Sequence, residues 1–465
     1  MVFSSLTFLC LFFPLTVGLH YLVKNGTARN ALLLAASLLF YAWGEPVWIL
    51  AMLFATAVNY VCARIIVNTK SDRGRKLALV VGIVISLAAL LYFKYAAFLV
   101  NNFCGLAGLA YRMTQPKLPI GISFYTFQII TYTVDVYRGK APLQKNPLWL
   151  LLYVSLFPQL IAGPIVRYID VAAAIEDRKV TAQGMGEGFF RFSLGLGKKV
   201  LLANLCGEVL ESLPIPAEMS FFSGWLAAAL FLLQLYFDFS GYSEMAIGLG
   251  RMLGFRFLEN FDAPLVSQSV SEFWRRWHIS LGTFFREYVY IPLGGNRKGT
   301  WRTILNMLIV WSLTGLWHGA SFNYLLWGLY FWVLLVLERY VLGDLLKRLP
   351  GFLRHGYLFL LVTLSFMVFY FEDLGQMGAY FAGLFRFSGP LLSADARSVL
   401  GSYWAWALLG RLCMGYLPRK AWARVAQKRP RLAEGGKIAL LLVLFLLCVA
   451  SLAGQSYNPF IYFRF

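Results

Sequence analysis

The chain has 465 residues, 59% of them hydrophobic and only 14% charged, with a mean hydropathy of +0.64. So much apolar surface excludes an ordinary soluble protein of this length and fits a polytopic helical membrane protein. The formal charge of +20 is scattered between apolar runs, so it reads as positive-inside topology and contact with anionic lipid headgroups rather than as nucleic-acid binding.

Apolar runs able to span or re-enter recur at 6–23, 31–44, 46–66, 77–99, 118–136, 148–166, 189–210, 221–248, 303–320, 322–341, 356–372, 398–416 and 437–454. Some are short or broken by glycine, which predicts an all-α fold of about eleven crossings in one domain over residues 1–465. No Lys or Arg precedes the first run and no A-x-A site follows it, while Lys24 and Arg29 come directly after it. This predicts an uncleaved first helix with its N-terminus outside. Loops marked by Arg64, Lys70, Arg73, Arg75 and Lys76, by Arg138, Lys140 and Lys145, and by the eight basic residues between Arg411 and Lys437 are then cytoplasmic. The final span leaves the aromatic tail Tyr457–Phe463 outside, as suits an interfacial belt. The run 95–115, with Asn101 and Asn102 beside Lys94, reads as a re-entrant piece.

The run 221–248 carries Gln234, Asp238, Gly241 and Tyr242 on one helical face. Asp238 and Glu244 are acids near membrane depth, suited to orienting a histidine, lining a polar tunnel, binding a proton or forming structural hydrogen bonds.

From Arg256 to Arg302 the chain is basic and aromatic with no spanning run, and reads as a cytoplasmic-side amphipathic segment; a connection this long is usually functional. Ser269 and Glu272 form an S-x-x-E capping box, predicting a helix start. On that helix Trp274, Trp277, His278 and Leu281 share a face, with Arg275 and Arg276 beside it. Such a helix either walls a cavity, its arginines near an anionic ligand, or lies in the headgroup plane. Pro292 and the Gly294-Gly295-Asn296 turn end the helical stretch, and Arg297, Lys298 and Arg302 follow as a basic cluster without Walker A spacing.

The span pair 303–341 holds Leu316-Trp317-His318-Gly319-Ala320, a histidine in an otherwise apolar run. A charge at a helix centre costs about 2.5–3.5 kcal/mol on insertion scales. A neutral imidazole costs less, yet still needs a donor and an acceptor satisfied. Trp311, Thr314, Gly315, His318 and Phe322 fall on one face, and Gly315 and Gly319 form a small-xxx-small pair for close helix approach. His318 is therefore either a general base or proton relay, or polar glue between helices.

The six cysteines form no CxxC pair, and four histidines without recognisable ligand spacing predict no metal. No H-E-x-x-H or G-x-S-x-G motif is present.

In combination, Met1–Ser5, Leu118–Phe127, Ile161–Pro164, Gln234–Gly250, Phe273–Leu281, Leu293–Arg297 and Gly315–Ala320 resemble the membrane-bound O-acyltransferase family, in particular its bacterial alginate and cellulose O-acetyltransferase subfamily. The resemblance implies helices around a thinned centre with a tunnel between a cytoplasmic and an extracytoplasmic funnel. The family's essential histidine falls on His318. A second polar position, His or Asn across the family, falls on His278. Tunnel or substrate contacts are expected from Asp238, Tyr242, Trp274, Arg275, Arg276, Trp277, Trp317 and Asn296. The implied reaction moves acetyl from cytoplasmic acetyl-CoA, used as a substrate with no resident cofactor, across the bacterial inner membrane. The acetyl group then reaches a secreted exopolysaccharide, cellulose or alginate, through periplasmic or membrane-anchored partner proteins. The N-terminus is expected in the periplasm. A proton-coupled transporter or flippase using Asp238, Glu244 and His318 is the alternative, although no internal repeat supports it; a membrane scaffold without chemistry is a third reading.

Overall fold

A computed structural model describes residues 1–161, 163–216, 219–387, 391–454, 457–459 and 461. Ala162 of the Ile161–Pro164 motif and Phe460, Tyr462 and Phe463 of the aromatic tail lie outside the described residues. The described residues are helical with connecting loops, and their one β-bridge is a single antiparallel pairing of Phe261 with Trp277. They group into two compact units, Met1–Phe192 with Tyr242–Glu259, and Ser193–Gly241 with Asn260–Phe465.

The first unit holds α1 (Phe13–Leu22), α2 (Gly26–Ala42), α3 (Ile49–Asn68), α4 (Asp72–Leu106), α5 (Ile122–Tyr137), α6 (Pro147–Ser155), α7 (Phe157–Leu160) and α8 (Tyr168–Glu176). Helices α3, α4 and α5 are joined by buried polar contacts. Asn59 donates to Ser86 Oγ at 2.8 Å and accepts from Thr133 Oγ1 at 2.7 Å. Such bonds serve as glue where apolar side chains gain nothing over lipid. The expected re-entrant piece at 95–115 is corrected. Lys94, Asn101 and Asn102 lie within the single helix α4, and the chain then folds back along it. Asn101 bonds both backbone groups of Met113, and Gln115 donates to the Phe93 carbonyl at 2.8 Å. The run 148–166 is not one helix either. Pro158 brings no N–H, and the helix breaks at Leu156 into α6 and α7. Gly121, at φ 76°, starts α5 where a Cβ would lie 2.7 Å from the Leu160 carbonyl, so two motifs distant in sequence meet backbone to backbone.

Helix α9 (Ala182–Gly197) continues through a π-helical turn (Lys198–Ala203) into α10 (Asn204–Glu211), and α11 runs from Phe221 to Met252. The second unit then adds α12 (Val270–Arg276), α13 (Ile279–Phe285), α14 (Thr300–His318), α15 (Phe322–Leu337), α16 (Gly343–Arg348) and α17 (Gly351–Tyr370). It ends with α18 (Leu374–Gly383), α19 (Ala394–Cys413), α20 (Leu417–Lys428) and α21 (Pro430–Gly454).

Six helical stretches among the described residues are long and apolar enough to cross a membrane: Ile49–Asn68, Asp72–Leu106, Phe221–Met252, Phe322–Arg348, Gly351–Tyr370 and Pro430–Gly454. Further crossings toward the expected eleven would fall to shorter helices such as α2, of 17 residues, or to the less apolar α14 and α19, of 19 and 20 residues. Helices α14 and α15 form a hairpin set by glycine. A Cβ on Gly315 would stand 2.3 Å from the Tyr324 carbonyl, and one on Gly328 2.3 Å from the Trp311 carbonyl. The close approach expected at Gly315 is thus made by the next helix in the chain. Gly319 caps α14 in extended backbone, and Phe322 opens α15, so Phe322 does not share the His318 face.

Candidate functional site

Ser269 caps α12 as its sequence predicts, accepting from Glu272 N at 3.0 Å. The reciprocal half of the box is replaced. Glu272 accepts from Gln268 N at 2.9 Å, while the Glu338 carboxylate takes Val270 N at 2.6 Å and Ser271 N at 2.9 Å. An anion at these orphan amides also favours the helix dipole. The continuous face expected from Trp274 to Leu281 is corrected, because α12 stops at Arg276 and His278 sits in left-handed backbone at φ 47°. Asn260 holds that turn. Its carbonyl accepts from Ile279 N at 3.0 Å, and its side-chain oxygen faces His278 Nδ1 at 3.2 Å and takes Ser280 Oγ at 2.9 Å. An amide oxygen can only accept, so a proton is assigned to Nδ1. Burial keeps the ring neutral, pushing the His278 pKa down to about 3.

His278 lines a cavity of about 780 Å³, here cavity A, with Trp274, Arg275, Tyr290, Asn296, Trp311 and Thr314. Arg275, Arg286, Arg339, Lys347 and Arg354 face it as well, against Glu272 and the helix-capping Glu338. Asn296 belongs to a turn in which Gly294 and Gly295 have φ of 104° and 54°, and Asn306 donates to the Gly295 carbonyl at 3.0 Å. Tyr290 and Arg339 both donate to Asn296 Oδ1.

A second cavity, B, of about 530 Å³, is lined by residues including Glu211, Gln234, Tyr324, Phe369, Glu372, Asp373, Gln376 and Tyr457. The two cavities lie toward opposite ends of the same helices. On α17 Arg354 lines A and Phe369 lines B, about 22 Å apart at 1.5 Å per residue. On α15 Leu335 lines A and Tyr324 lines B.

His318 is 8% exposed and is not among the residues lining either cavity. Its ring stands 5.0 Å from that of Phe369, which lines B, and 5.1 Å from that of Trp327. Trp327 in turn meets Trp274 of cavity A at 5.5 Å. A file of rings, Trp274–Trp327–His318–Phe369, therefore runs from the wall of cavity A to the wall of cavity B.

Trp274, Arg275, His278 and Asn296 come together in cavity A. The other expected tunnel residues stand elsewhere. Arg276 pairs with Glu272 at 2.9 Å and Asp262 at 3.6 Å. Trp277 packs on Phe273 and Phe366. Trp317 lies between the two histidine rings, 5.9 Å from His278 and 5.0 Å from His318. Tyr242 belongs to the first unit, stacked on Phe3 at 4.4 Å. Asp238 pairs with Lys199 at 2.9 Å, both side chains 2% exposed. Sequence reading missed Lys199, Asn260, Glu338 and Phe369. Lys199 and Glu338 had a signal, a charge within or at the end of an apolar run; Asn260 and Phe369 had none.

The membrane-bound O-acyltransferase family model matches residues 143–371. The chain is 39% identical to a Pseudomonas putida protein named probable alginate O-acetylase AlgI, over the whole of both chains. It is 33% identical to a Helicobacter pylori peptidoglycan O-acetyltransferase over 73% of this chain and 70% of the relative. With a Bacillus subtilis teichoic acid D-alanyltransferase it shares 27% identity over 54% of this chain and 67% of the relative. A likeness of this extent, around a site built between apolar helices, makes the chain a multi-pass member of the membrane-bound O-acyltransferase family, and an acyltransferase.

Proposed function

We propose that the protein transfers acetyl from cytoplasmic acetyl-CoA, bound in cavity A, to a hydroxyl that arrives through cavity B on the periplasmic side of a bacterial inner membrane. The acetyl then serves O-acetylation of a secreted exopolysaccharide, through periplasmic or membrane-anchored partners. Alginate is favoured over cellulose by the names of the relatives at 35–40% identity. The observation that carries the reading is the place of His318, one ring from cavity B and two from cavity A.

Charge supports the direction. Arg339, Lys347 and Arg354 gather at the A end of the hairpin and Glu372 and Asp373 at the B end, and the positive-inside rule puts A in the cytoplasm. The N-terminus is read as periplasmic, because Lys24 and Arg29 directly follow the first apolar run. Arg275, Arg286, Arg339, Lys347 and Arg354 suit the phosphates of a CoA thioester. His318 takes the proton from the acceptor hydroxyl as its oxygen attacks the thioester carbonyl. The tetrahedral intermediate collapses with loss of the CoA thiolate, and the imidazolium returns the proton to sulfur. Neutral His278 and Trp274 orient the thioester end of the donor. The ring file keeps bulk water from the acyl group, which limits hydrolysis.

The test is His318→Ala in a strain that secretes O-acetylated polymer. Loss of O-acetyl groups with normal membrane insertion is expected; unchanged acetylation overturns the reading. Radiolabelled acetyl-CoA should be consumed by inverted vesicles and spared by right-side-out ones.

A further inference from the structure

Trp327 stands in the middle of the ring file, 1% exposed, 5.1 Å from the ring of His318 and 5.5 Å from that of Trp274. The proposed function sets the thioester end of the donor at Trp274 and the base at His318, so Trp327 meets both ends of the reacting path. The reach from cavity A is short. Thr314, which lines it, lies one turn before His318 on α14, about 6 Å along the helix axis.

The indole nitrogen of Trp327 is buried and makes no hydrogen bond among the described residues. Trp332, further along the same helix, shows the ordinary arrangement: its Nε1 donates to the Ile304 carbonyl of α14 at 3.2 Å. The neighbours of Trp327 are instead the rings of Trp274, His318, Phe331 and Phe369, all met edge to face at interplanar angles between 62° and 85°. A π face is a second-order acceptor beside an oxygen. A buried donor left without an acceptor bears its full desolvation penalty. A phenylalanine, like the neighbouring Phe331 and Phe369, would fill an aromatic stack without that penalty. An orphan donor beside a reacting group therefore points to an acceptor that is present during the reaction. Nε1 of Trp274, at the wall of cavity A, is buried and unbonded in the same way, so two such donors flank the path to His318.

We infer that Trp327 is a catalytic residue whose indole N–H donates to the thioester carbonyl oxygen as that oxygen takes up negative charge. This rests on the proposed function and names a further group in its reaction. The acceptor oxygen bonds to the carbonyl carbon while its proton passes to His318. The carbonyl π pair moves onto oxygen, where the indole N–H meets it. On collapse the carbonyl re-forms, the carbon–sulfur bond breaks, and the thiolate takes the proton back from the imidazolium. An N–H fixed in a dry aromatic stack suits the task, because it needs no reorganisation and little water screens it. Being neutral, it also does not repel the imidazolium that forms on His318.

The experiment replaces Trp327 by benzothienylalanine, which keeps the bicyclic shape and puts sulfur where the N–H was. Inverted vesicles from the polymer-secreting strain, which hold its own acceptor, are supplied with radiolabelled acetyl-CoA. Turnover should fall about 10²–10³-fold in kcat with KM within about threefold of the parent. The same replacement at Trp332 should leave kcat within about twofold, since it removes a structural bond. Mono-, di- and trifluorotryptophan at position 327 keep the donor and make it more acidic, so kcat should rise along that series. A kcat unmoved by the Trp327 replacement, or a rise in KM alone, overturns the inference while His318→Ala still abolishes turnover and the proposed function stands. A fall in kcat that the fluorinated series does not follow is a packing defect and overturns it too. Turnover indifferent to His318→Ala overturns the proposed function, and the inference with it.

Discussion

Cavities A and B sit at opposite ends of the same helices and have opposite charge. A is ringed by Arg275, Arg286, Arg339, Lys347 and Arg354, B by Glu211, Glu372 and Asp373. A is walled by the broken α12–α13 segment, B by α10, α11, α17 and the tail. The contrast teaches that one hairpin presents two chemically distinct surfaces at its two ends and keeps the ring of His318 between them, in neither. Charge alone then favours an anionic ligand at one end and disfavours it at the other.

The contrast breaks most completely at its midpoint. His318→Ala should lower acetyl transfer about 10²–10⁴-fold, measured as polymer O-acetyl content and as acetyl-CoA turnover in vesicles, while expression and insertion stay normal. At the B end, Asp238→Ala leaves the buried Lys199 without its counter-ion and should cost about 3–5 kcal/mol of stability, read by thermal unfolding in detergent. Lys199 also donates to the Pro459 carbonyl, and Asp238 accepts from Ile461 N at 3.1 Å. Replacing the pair together, Lys199→Met with Asp238→Leu, should recover most of that loss but release the tail. An undiminished melting temperature in Asp238→Ala would mean that the pair does not secure wall B.

The A end is sharpened by pH. His278 has its pKa lowered by burial to about 3, against about 6.5 when unfolded, so the unfolded chain binds the extra proton first. Stability tied to this ring is complete above pH 6.5 and is lost as pH falls toward 3, amounting to about 2 kcal/mol at pH 5. His278→Asn should lose less stability between pH 6.5 and 5 than the parent. The smallest effect is expected at the rim: Arg275→Gln should raise KM for acetyl-CoA about tenfold with kcat little changed, less so at high salt. A fall in kcat alone would place Arg275 with the reacting atoms instead of the donor phosphates.

Much of this arrangement was legible in the sequence. The lone histidine of an apolar span marked His318, the S-x-x-E box marked the start of α12, and the glycines around His318 marked a tight crossing. What was not legible has physical reasons. Periodicity assumes that a helix continues, and nothing in Trp277-His278 announces the left-handed turn that Asn260, far back in sequence, imposes. Asp238 read as a polar tunnel residue because its partner Lys199 lies on another helix. Asn101 suggested a re-entrant loop because pattern alone does not show that its side chain satisfies the returning backbone of Met113. Open space is the hardest quantity to foresee, since an aromatic run such as Phe366–Phe371 fills a passage or lines it according to a single torsion.

The backbone at position 278 carries a constraint of its own. Positive φ is poorly tolerated by branched or bulky side chains, while Asn, Asp and His accept it several-fold more often than other non-glycine residues. The resemblance that gives this position as His or Asn therefore needs no shared chemistry to explain it. Both residues adopt that conformation more readily than most, and both carry a side-chain N–H. A substitution at this site therefore meets a backbone constraint before any chemical one, and fewer residue types fit there than the size of cavity A suggests.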